Sequence, residues 1–447
     1  MKKNNLINKF LSFSIGSWFT LFIGFFTTPL ITRLIDPGDY GRYSMFNLVT
    51  NITMIIMVMA LDQSFVRFFY EEDEKGRTKL LYYCLLGPLI ASIIVSLIAI
   101  CLWRPLSSLL YENASFNSIL LTIICSIIMI INRYATLVIR MKQRGKLYSL
   151  IQIIQKVVYL GSVLSLYMLS VSGFSILAVS ITIAYVVATV IAVYIERHFW
   201  YAKDTKNVKL KNNLRDIWKF GAPLTITFLV TWLFQSADRI AIKYWGSYEE
   251  LGIYASAFSI ISLLNVVQNS FTTFWTPVAL ERYEKNKEDS YFFERMSIII
   301  SIAMFVLAVG IILFRDLIVI LLGQKYREAA LIMPFLTLMP IMYTISETTV
   351  VGISFKKKSS YNFWISIIAC MVYIIGNGIL VPRIGAKGAA ISTGLSYIVF
   401  YYIRTIASAR LYKVNYHVLK ASIVIACLSI FAMYATFNSF NLIYLVM

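Results

Sequence analysis

Apolar residues run through this chain in blocks of about twenty, separated by short polar segments. A helix crosses the hydrocarbon layer of a membrane in roughly 20 residues, at about 1.5 Å per residue. Each block therefore predicts one crossing. Thirteen are found: 10–33, 43–63, 80–103, 117–138, 149–170, 174–195, 220–242, 251–275, 296–314, 329–353, 362–381, 387–409 and 419–437. Residues 438–447 are too few to cross. Lys2, Lys3 and Lys9 precede the first block as in a signal peptide, but the block is too long and no small-residue cleavage site follows it, so it reads as a retained helix.

Composition narrows the class. Of 447 residues, 59% are hydrophobic and 14% charged. A soluble fold could not cover that much apolar surface, and a disordered chain needs the opposite balance. The fold expected is an all-α integral membrane protein. The net charge of +19 would suggest nucleic acid on a soluble protein. Here the basic residues sort by topology instead. With the N-terminus cytoplasmic, 30 of the 41 Lys and Arg fall on cytoplasmic segments, ten fall on the outer side, and Lys156 alone lies well inside a span. Cytoplasmic loops collect Lys and Arg in this way, and no nucleic-acid partner is needed to explain the charge. The five cysteines have no CxxC spacing and there are only two histidines, so no metal site is supported. No phosphate-binding glycine motif is present. The expectation is a non-enzyme without a cofactor, unable to hydrolyse ATP by itself.

Features recur about 212 residues apart. Gly41-Arg42-Tyr43 and Gly252-Ile253-Tyr254 follow the first and seventh spans; Tyr148 and Tyr361 follow basic turns at the fifth and eleventh; Gly173 and Gly385 stand before the sixth and twelfth. The offsets are 211, 213 and 212. They predict a duplicated six-helix unit whose copies point the same way across the membrane, an arrangement known in transporters. The division expected is a first lobe at 1–195, a basic cytoplasmic linker at 196–219, a second lobe at 220–409 and an extra helix with tail at 410–447.

Polar side chains inside spans turn toward protein or water, because lipid offers no hydrogen-bond partner. Asn47 and Asn51 lie in the second span, and Gln152, Gln155 and Lys156 in the fifth. Thr231, Gln235 and Asp238 share one face of the seventh, with Arg239 beside them, and Asn265 and Asn269 share a face of the eighth. These are the candidates for a water-filled substrate cavity; the competing reading is interhelical hydrogen bonding. Lys156 either snorkels to the surface or attracts an anion. Glu347, deep in the tenth span after Pro334 and Pro340, is the candidate for ion coupling, against a purely structural carboxyl. Asp62 and Arg67 lie near the inner end of the second span, as gate or inner-end contacts or as solvated charges. Asp238 and Arg239 also read as a self-contained pair.

Three stretches carry a resemblance. Arg33-Leu34-Ile35-Asp36-Pro37-Gly38-Asp39-Tyr40-Gly41, Ala60-Leu61-Asp62-Gln63-Ser64-Phe65-Val66-Arg67-Phe68-Phe69, and Asp238-Arg239 followed by Gly252-Ile253-Tyr254 are similar to segments of polysaccharide biosynthesis flippases of the O-antigen type. These belong to the multidrug/oligosaccharidyl-lipid/polysaccharide exporter superfamily. The resemblance implies two six-helix lobes around a central cavity. It also implies movement of a polyprenyl-diphosphate-linked oligosaccharide across the cytoplasmic (inner) membrane by alternating access, in O-antigen-, lipopolysaccharide- or capsule-like biosynthesis. A polysaccharide polymerase and glycosyltransferases would be partners. Many members have fourteen helices; this chain offers thirteen. Competing readings are an ion-coupled multidrug exporter of the same superfamily, which would favour acidic cavity residues, and a glycan polymerase or ligase, which would carry a large outer loop. A passive scaffold would need neither polar stripes nor duplication.

Overall fold

The computed structural model describes residues 22–112, 114–201, 210–356, 358 and 360–438. The first part of the first block (10–21), linker residues 202–209, Lys357 and the tail from 439 lie outside the described residues. The helices in chain order are α1 (Phe22–Leu34), α2 (Pro37–Val58), α3 (Leu61–Phe68), α4 (Glu74–Cys101), α5 (Trp103–Tyr111), α6 (Phe116–Met141), α7 (Gly145–Met168), α8 (Ser175–Ile195) and α9 (Arg197–Trp200). They continue with α10 (Leu214–Trp245), α11 (Tyr248–Ile261), α12 (Leu264–Lys285), α13 (Ser290–Leu313), α14 (Arg315–Val319), α15 (Ala329–Thr349), α16 (Val351–Phe355), α17 (Ser360–Leu411) and α18 (Val418–Phe437). No strand occurs among the described residues. Hydrocarbon cannot bond exposed backbone groups, and a helix satisfies its own.

Ten helical stretches among the described residues are long and apolar enough to cross a membrane, or eleven when the bent pair α2–α3 is taken as one span. Every one of the thirteen predicted blocks coincides with helix, the first over its described part. The difference in number comes from α1, which is described only from Phe22, and from α17. At about 1.5 Å per residue, the 52 residues of α17 would reach roughly 78 Å, far beyond a hydrocarbon core of about 30 Å. The chain turns inside it: Ile384 and Gly385 leave helical geometry, and Gly385 has φ +57°, a conformation that costs glycine little. The eleventh and twelfth crossings lie on either side. The pair α2–α3 is bent by 56°, where Met59 and Ala60 adopt left-handed φ values of 49° and 51°.

The chain forms two compact units. The first comprises residues 1–27 and 42–235, the second 28–41 and 236–447. In the first, Leu61 and Phe65 of α3 and Phe69 just after it pack with Leu81, Cys84 and Leu85 of α4, with Tyr134 and Val138 of α6, and with Ile217 of α10. Tyr134 donates to the Cys84 carbonyl at 2.9 Å and Ser64 to the Ile217 carbonyl at 2.8 Å. The described end of the linker is fastened to the α3–α4 turn: buried Glu72 accepts from the backbone N–H groups of Lys211 and Asn212, each at 3.1 Å.

In the second unit, α15 is almost wholly buried despite Pro334 and Pro340. The α18 helix is held by an unexpected cation. Arg315, assigned from sequence to an outer helix end, is fully buried and donates to the carbonyls of Ala435 and Asn438. A guanidinium suits the negative end of a helix and its unpaired carbonyls. Segment 28–41 belongs to this unit. Tyr326 donates to the Ile35 carbonyl at 2.9 Å, Gly323 N–H donates to Thr32 Oγ1 at 3.2 Å, and the Thr28 and Ser259 hydroxyls bond at 2.6 Å.

The segment also makes a close helix approach. A Cβ on Gly41 would stand 2.0 Å from the Tyr248 carbonyl oxygen, and one on Gly252 would stand 1.9 Å from that of Pro37. The two glycines identified as repeat partners thus meet each other, each over the carbonyl four residues before its partner. Neither obstacle is a side chain that can swing aside. Gly252→Ala should therefore destabilise the protein by roughly 1–3 kcal/mol, as overpacking does. Gly310→Ala, where a Cβ would meet nothing within 4 Å, should be neutral or slightly stabilising. Thermal unfolding of both variants in detergent micelles checks this; equal midpoints would mean that the crossing relaxes without cost.

Candidate functional site

Charges placed near or inside crossings show what each unit can do. The bend between α2 and α3 sets Asp62 in the first turn of α3, where it is buried. Its Oδ2 accepts from Arg133 of α6 through Nε at 2.9 Å and Nη2 at 2.8 Å, and from Gln63 at 2.9 Å. Asp62 is therefore not a solvated end residue; a two-pronged guanidinium contact ties α3 to α6. Arg67 does not join it. Arg67 pairs with Glu71 one turn on at 2.6 Å, an exposed pair of the kind worth little.

Glu347 also has a partner that its sequence neighbourhood does not show. Arg404 of α17, counted from sequence among the cytoplasmic basic residues, is buried and reaches Glu347 Oε1 and Ser346 Oγ, both at 2.7 Å, through Nη1. The guanidinium lies over the rings of Phe400 and Tyr343, 5.2 and 5.6 Å from their centres. The backbone carbonyl of Glu347 accepts from the Trp275 indole at 3.0 Å. Glu347 thus joins α15 to α17 by its side chain and α15 to α12 by its backbone.

Asp238 and Arg239 are not a self-contained pair. Asp238 is buried; its Oδ2 accepts from the Tyr254 hydroxyl, its Oδ1 from the Arg239 backbone N–H at 2.7 Å, and its own N–H donates to the Tyr373 hydroxyl at 3.0 Å. The Arg239 guanidinium lies 5.0 Å from the centre of the Phe258 ring instead. The carboxylate is thus enclosed by tyrosines from α11 and α17, which leaves it no open face like those of the neighbouring polar candidates.

The remaining candidates are less enclosed. In the first unit, Asn51, Thr231 and Gln235 are exposed and Asn47 is half-buried. Asn51 donates to the Asn47 carbonyl at 2.6 Å, and Thr231 donates to the Thr227 carbonyl at 2.8 Å. Gln152, Gln155 and Lys156 lie half-buried on α7. In the second unit Asn265 is half-buried and Asn269 exposed. Lys156 makes no hydrogen bond or ion pair among the described residues. The structure thus joins Asn47 with Asn51 and Asp238 with the Arg239 backbone, while Glu347 and Asp62 each pair with an arginine from outside the candidate set. No cluster of three or more His, Cys, Asp or Glu residues able to hold a metal occurs among the described residues.

The family described as "Polysaccharide biosynthesis protein" matches residues 6–281, more than half of the chain. Among curated protein sequences none matches. Solved structures show the same fold at low identity. One is the lipid II flippase MurJ in an inward closed conformation: 15% identity, TM-score 0.69, covering 96% of this chain and 93% of that one. Another is an inward-facing multidrug resistance MATE family transporter of the MOP superfamily: 13% identity, TM-score 0.63, covering 91% and 96%. A third is a MOP superfamily transporter from Pyrococcus furiosus: 13% identity, TM-score 0.53, covering 90% and 95%. With the family matched across 6–281 and ten or more apolar spans among the described residues, the chain belongs to the polysaccharide biosynthesis protein family and is a multi-pass membrane protein.

Proposed function

We propose that this protein is a flippase that carries polyprenyl-diphosphate-linked oligosaccharide repeat units across the cytoplasmic membrane by alternating access. It would stand between the glycosyltransferases that build the unit and the polymerase that consumes it. The family match carries this reading. A glycan head cannot enter hydrocarbon, and burying each hydroxyl without a partner costs on the order of 1–3 kcal/mol. Amide and hydroxyl side chains left open on the helices, such as Asn51, Thr231, Gln235 and Asn269, offer replacement hydrogen bonds. The multidrug alternative calls for open acidic side chains on the route. Asp62 and Glu347 are instead matched by Arg133 and Arg404, and Asp238 is enclosed by tyrosines.

Lys156 is assigned the diphosphate. It is a half-buried ammonium within the apolar length of α7, without an ion pair among the described residues. Lys156→Ala should reduce flipping of a fluorescent lipid-linked oligosaccharide in proteoliposomes by tenfold or more, while Lys156→Arg keeps part of it, since a point charge matters more here than shape. Wild-type rates in Lys156→Ala would return the residue to snorkelling. Export of cationic dyes by the same proteoliposomes, with no glycan-lipid movement, would favour the multidrug reading. The orientation proposed has the N-terminus and linker cytoplasmic. A single cysteine at Val208, in a functional variant without native cysteines, should then resist an impermeant thiol reagent in intact cells.

Glu347 is proposed as the ion-coupling residue, acting through Arg404. Protonation of the carboxyl removes the partner of a buried guanidinium, and a shift of α15 against α17 within the second unit that separates the two relieves that cost. Glu347→Gln should weaken transport and its response to an imposed proton gradient, with lipid-linked substrate binding retained. If the variant responds to the gradient as wild type does, the pair is structural only.

A further inference from the structure

The first unit contains a cleft of about 610 Å³ that none of the substrate candidates touches. It is formed where α3 turns into α4, where α6 turns into α7, and by α9. Lys75, Arg77, Lys142, Arg144 and His198 line it, with one carboxylate, Glu74. A second carboxylate lies behind the wall: Glu196, 3% exposed, receives Lys142 at 2.5 Å and Arg144 at 2.8 Å. Four permanent positive charges therefore face two negative ones, and the excess is positive before His198 is counted. Arg77 is fixed in plane, its Nε donating to the carbonyls of Phe69 and Glu72 at 3.0 and 3.1 Å. Lys75 and His198 are exposed and make no hydrogen bond or ion pair among the described residues.

The cleft is also aromatic. Phe69, Tyr70 and Phe199 line it; the Arg77 guanidinium lies 4.9 Å from the centre of the Phe69 ring, and the Lys142 ammonium 4.7 Å from that of Phe199. The helices that form it continue as apolar surface: Leu86, Ile90 and Ile93 on α4 are 50–62% exposed, and Val190 on α8 is 61% exposed. Tyr82 on α4 and Tyr194 on α8, both exposed, lie along the chain between that surface and the cleft residues, as aromatic residues do at a membrane interface. A phosphate held here would have hydrocarbon directly beside it.

We propose that this cleft binds the phosphate of an anionic membrane phospholipid, the cations taking the headgroup while the acyl chains run down the exposed face of α4 and α8. The site is separate from Lys156 and independent of the flippase reading. Basic pockets beside membrane helices recognise such headgroups through their charge. The two most separable cations are Lys75, which is exposed, and Arg144, whose loss leaves Lys142 to balance Glu196.

The test uses the full-length protein, purified in detergent and exchanged against phosphatidylglycerol or phosphatidylcholine, with bound lipid counted by native mass spectrometry. Wild type should retain phosphatidylglycerol about tenfold or more over phosphatidylcholine. Lys75→Gln/Arg144→Gln should lose most of that preference at an unchanged unfolding midpoint, and Lys75→Arg/Arg144→Lys should keep it. Inorganic phosphate at millimolar concentration should not displace the lipid; displacement would make this a free-phosphate site and overturn the proposal. Hydrogen exchange on wild type guards against variants that fail to fold. Phosphatidylglycerol, and not phosphatidylcholine, should slow exchange in 74–78 and 141–145. Equal retention of the two lipids, or no protection in those segments, also overturns it.

Discussion

A polar group inside hydrocarbon has no solvent to fall back on, and most of this structure follows from that. Backbone amides are satisfied by continuous helix. Where the helix is interrupted, at Met59–Ala60 and at Ile384–Gly385, the chain turns next to groups that meet its needs. Asp62 after the first break takes Arg133, and the Ala386 N–H after the second donates to Glu250 at 3.3 Å. The open carbonyls at the end of α18 are met by Arg315. Each of these partners comes from a distant part of the sequence, so satisfying these backbone and side-chain polar groups also fixes the tertiary arrangement within each unit.

This constraint explains what the sequence could and could not reveal. Crossings are legible because hydrophobicity over twenty residues is a local property; all thirteen blocks coincide with helix over their described parts. Gly41, Gly252 and Gly385 stood out because a missing side chain is visible in one dimension, and two of them mark a helix crossing and the third a turn. Ion pairs are not local. Arg404 is 57 residues from Glu347, and Arg133 is 71 from Asp62. A basic residue near a span end satisfies the charge rule for loops equally well whether it faces water or a buried carboxylate. The same holds for Arg315. Hydropathy scores it as an interfacial charge, whereas its guanidinium serves carbonyls of a helix that begins a hundred residues later.

The basic residues also serve more than topology. A sequence count treats Lys142 and Arg144 as two more charges on a cytoplasmic turn. In the structure they hold buried Glu196 and line the cleft between α3–α4 and α9. The linker's described end is held in the same unit by Glu72. Glu196 thus holds two basic side chains to the fold while both still line the cleft.

The glycine spacing read in the sequence has a counterpart in backbone packing that the charges lack. The offset that relates Gly41 to Gly252 also relates Pro37 to Tyr248, and these four residues make the reciprocal contacts at the crossing of α2 and α11. Moving Asp62 and Arg133 forward by 212 positions gives Phe274, which is exposed, and Ile345, which is buried. The second half places its ion pair between α15 and α17 instead, two residues beyond the Arg133 equivalent and with a partner on a different helix. Close backbone packing tolerates no side chain, so the glycines have no substitute. An ion pair can be replaced by well-packed apolar groups with little loss of stability. The glycine contacts are thus fixed by backbone geometry, whereas the pairs Asp62–Arg133 and Glu347–Arg404 rest on side chains that each unit places on its own helices.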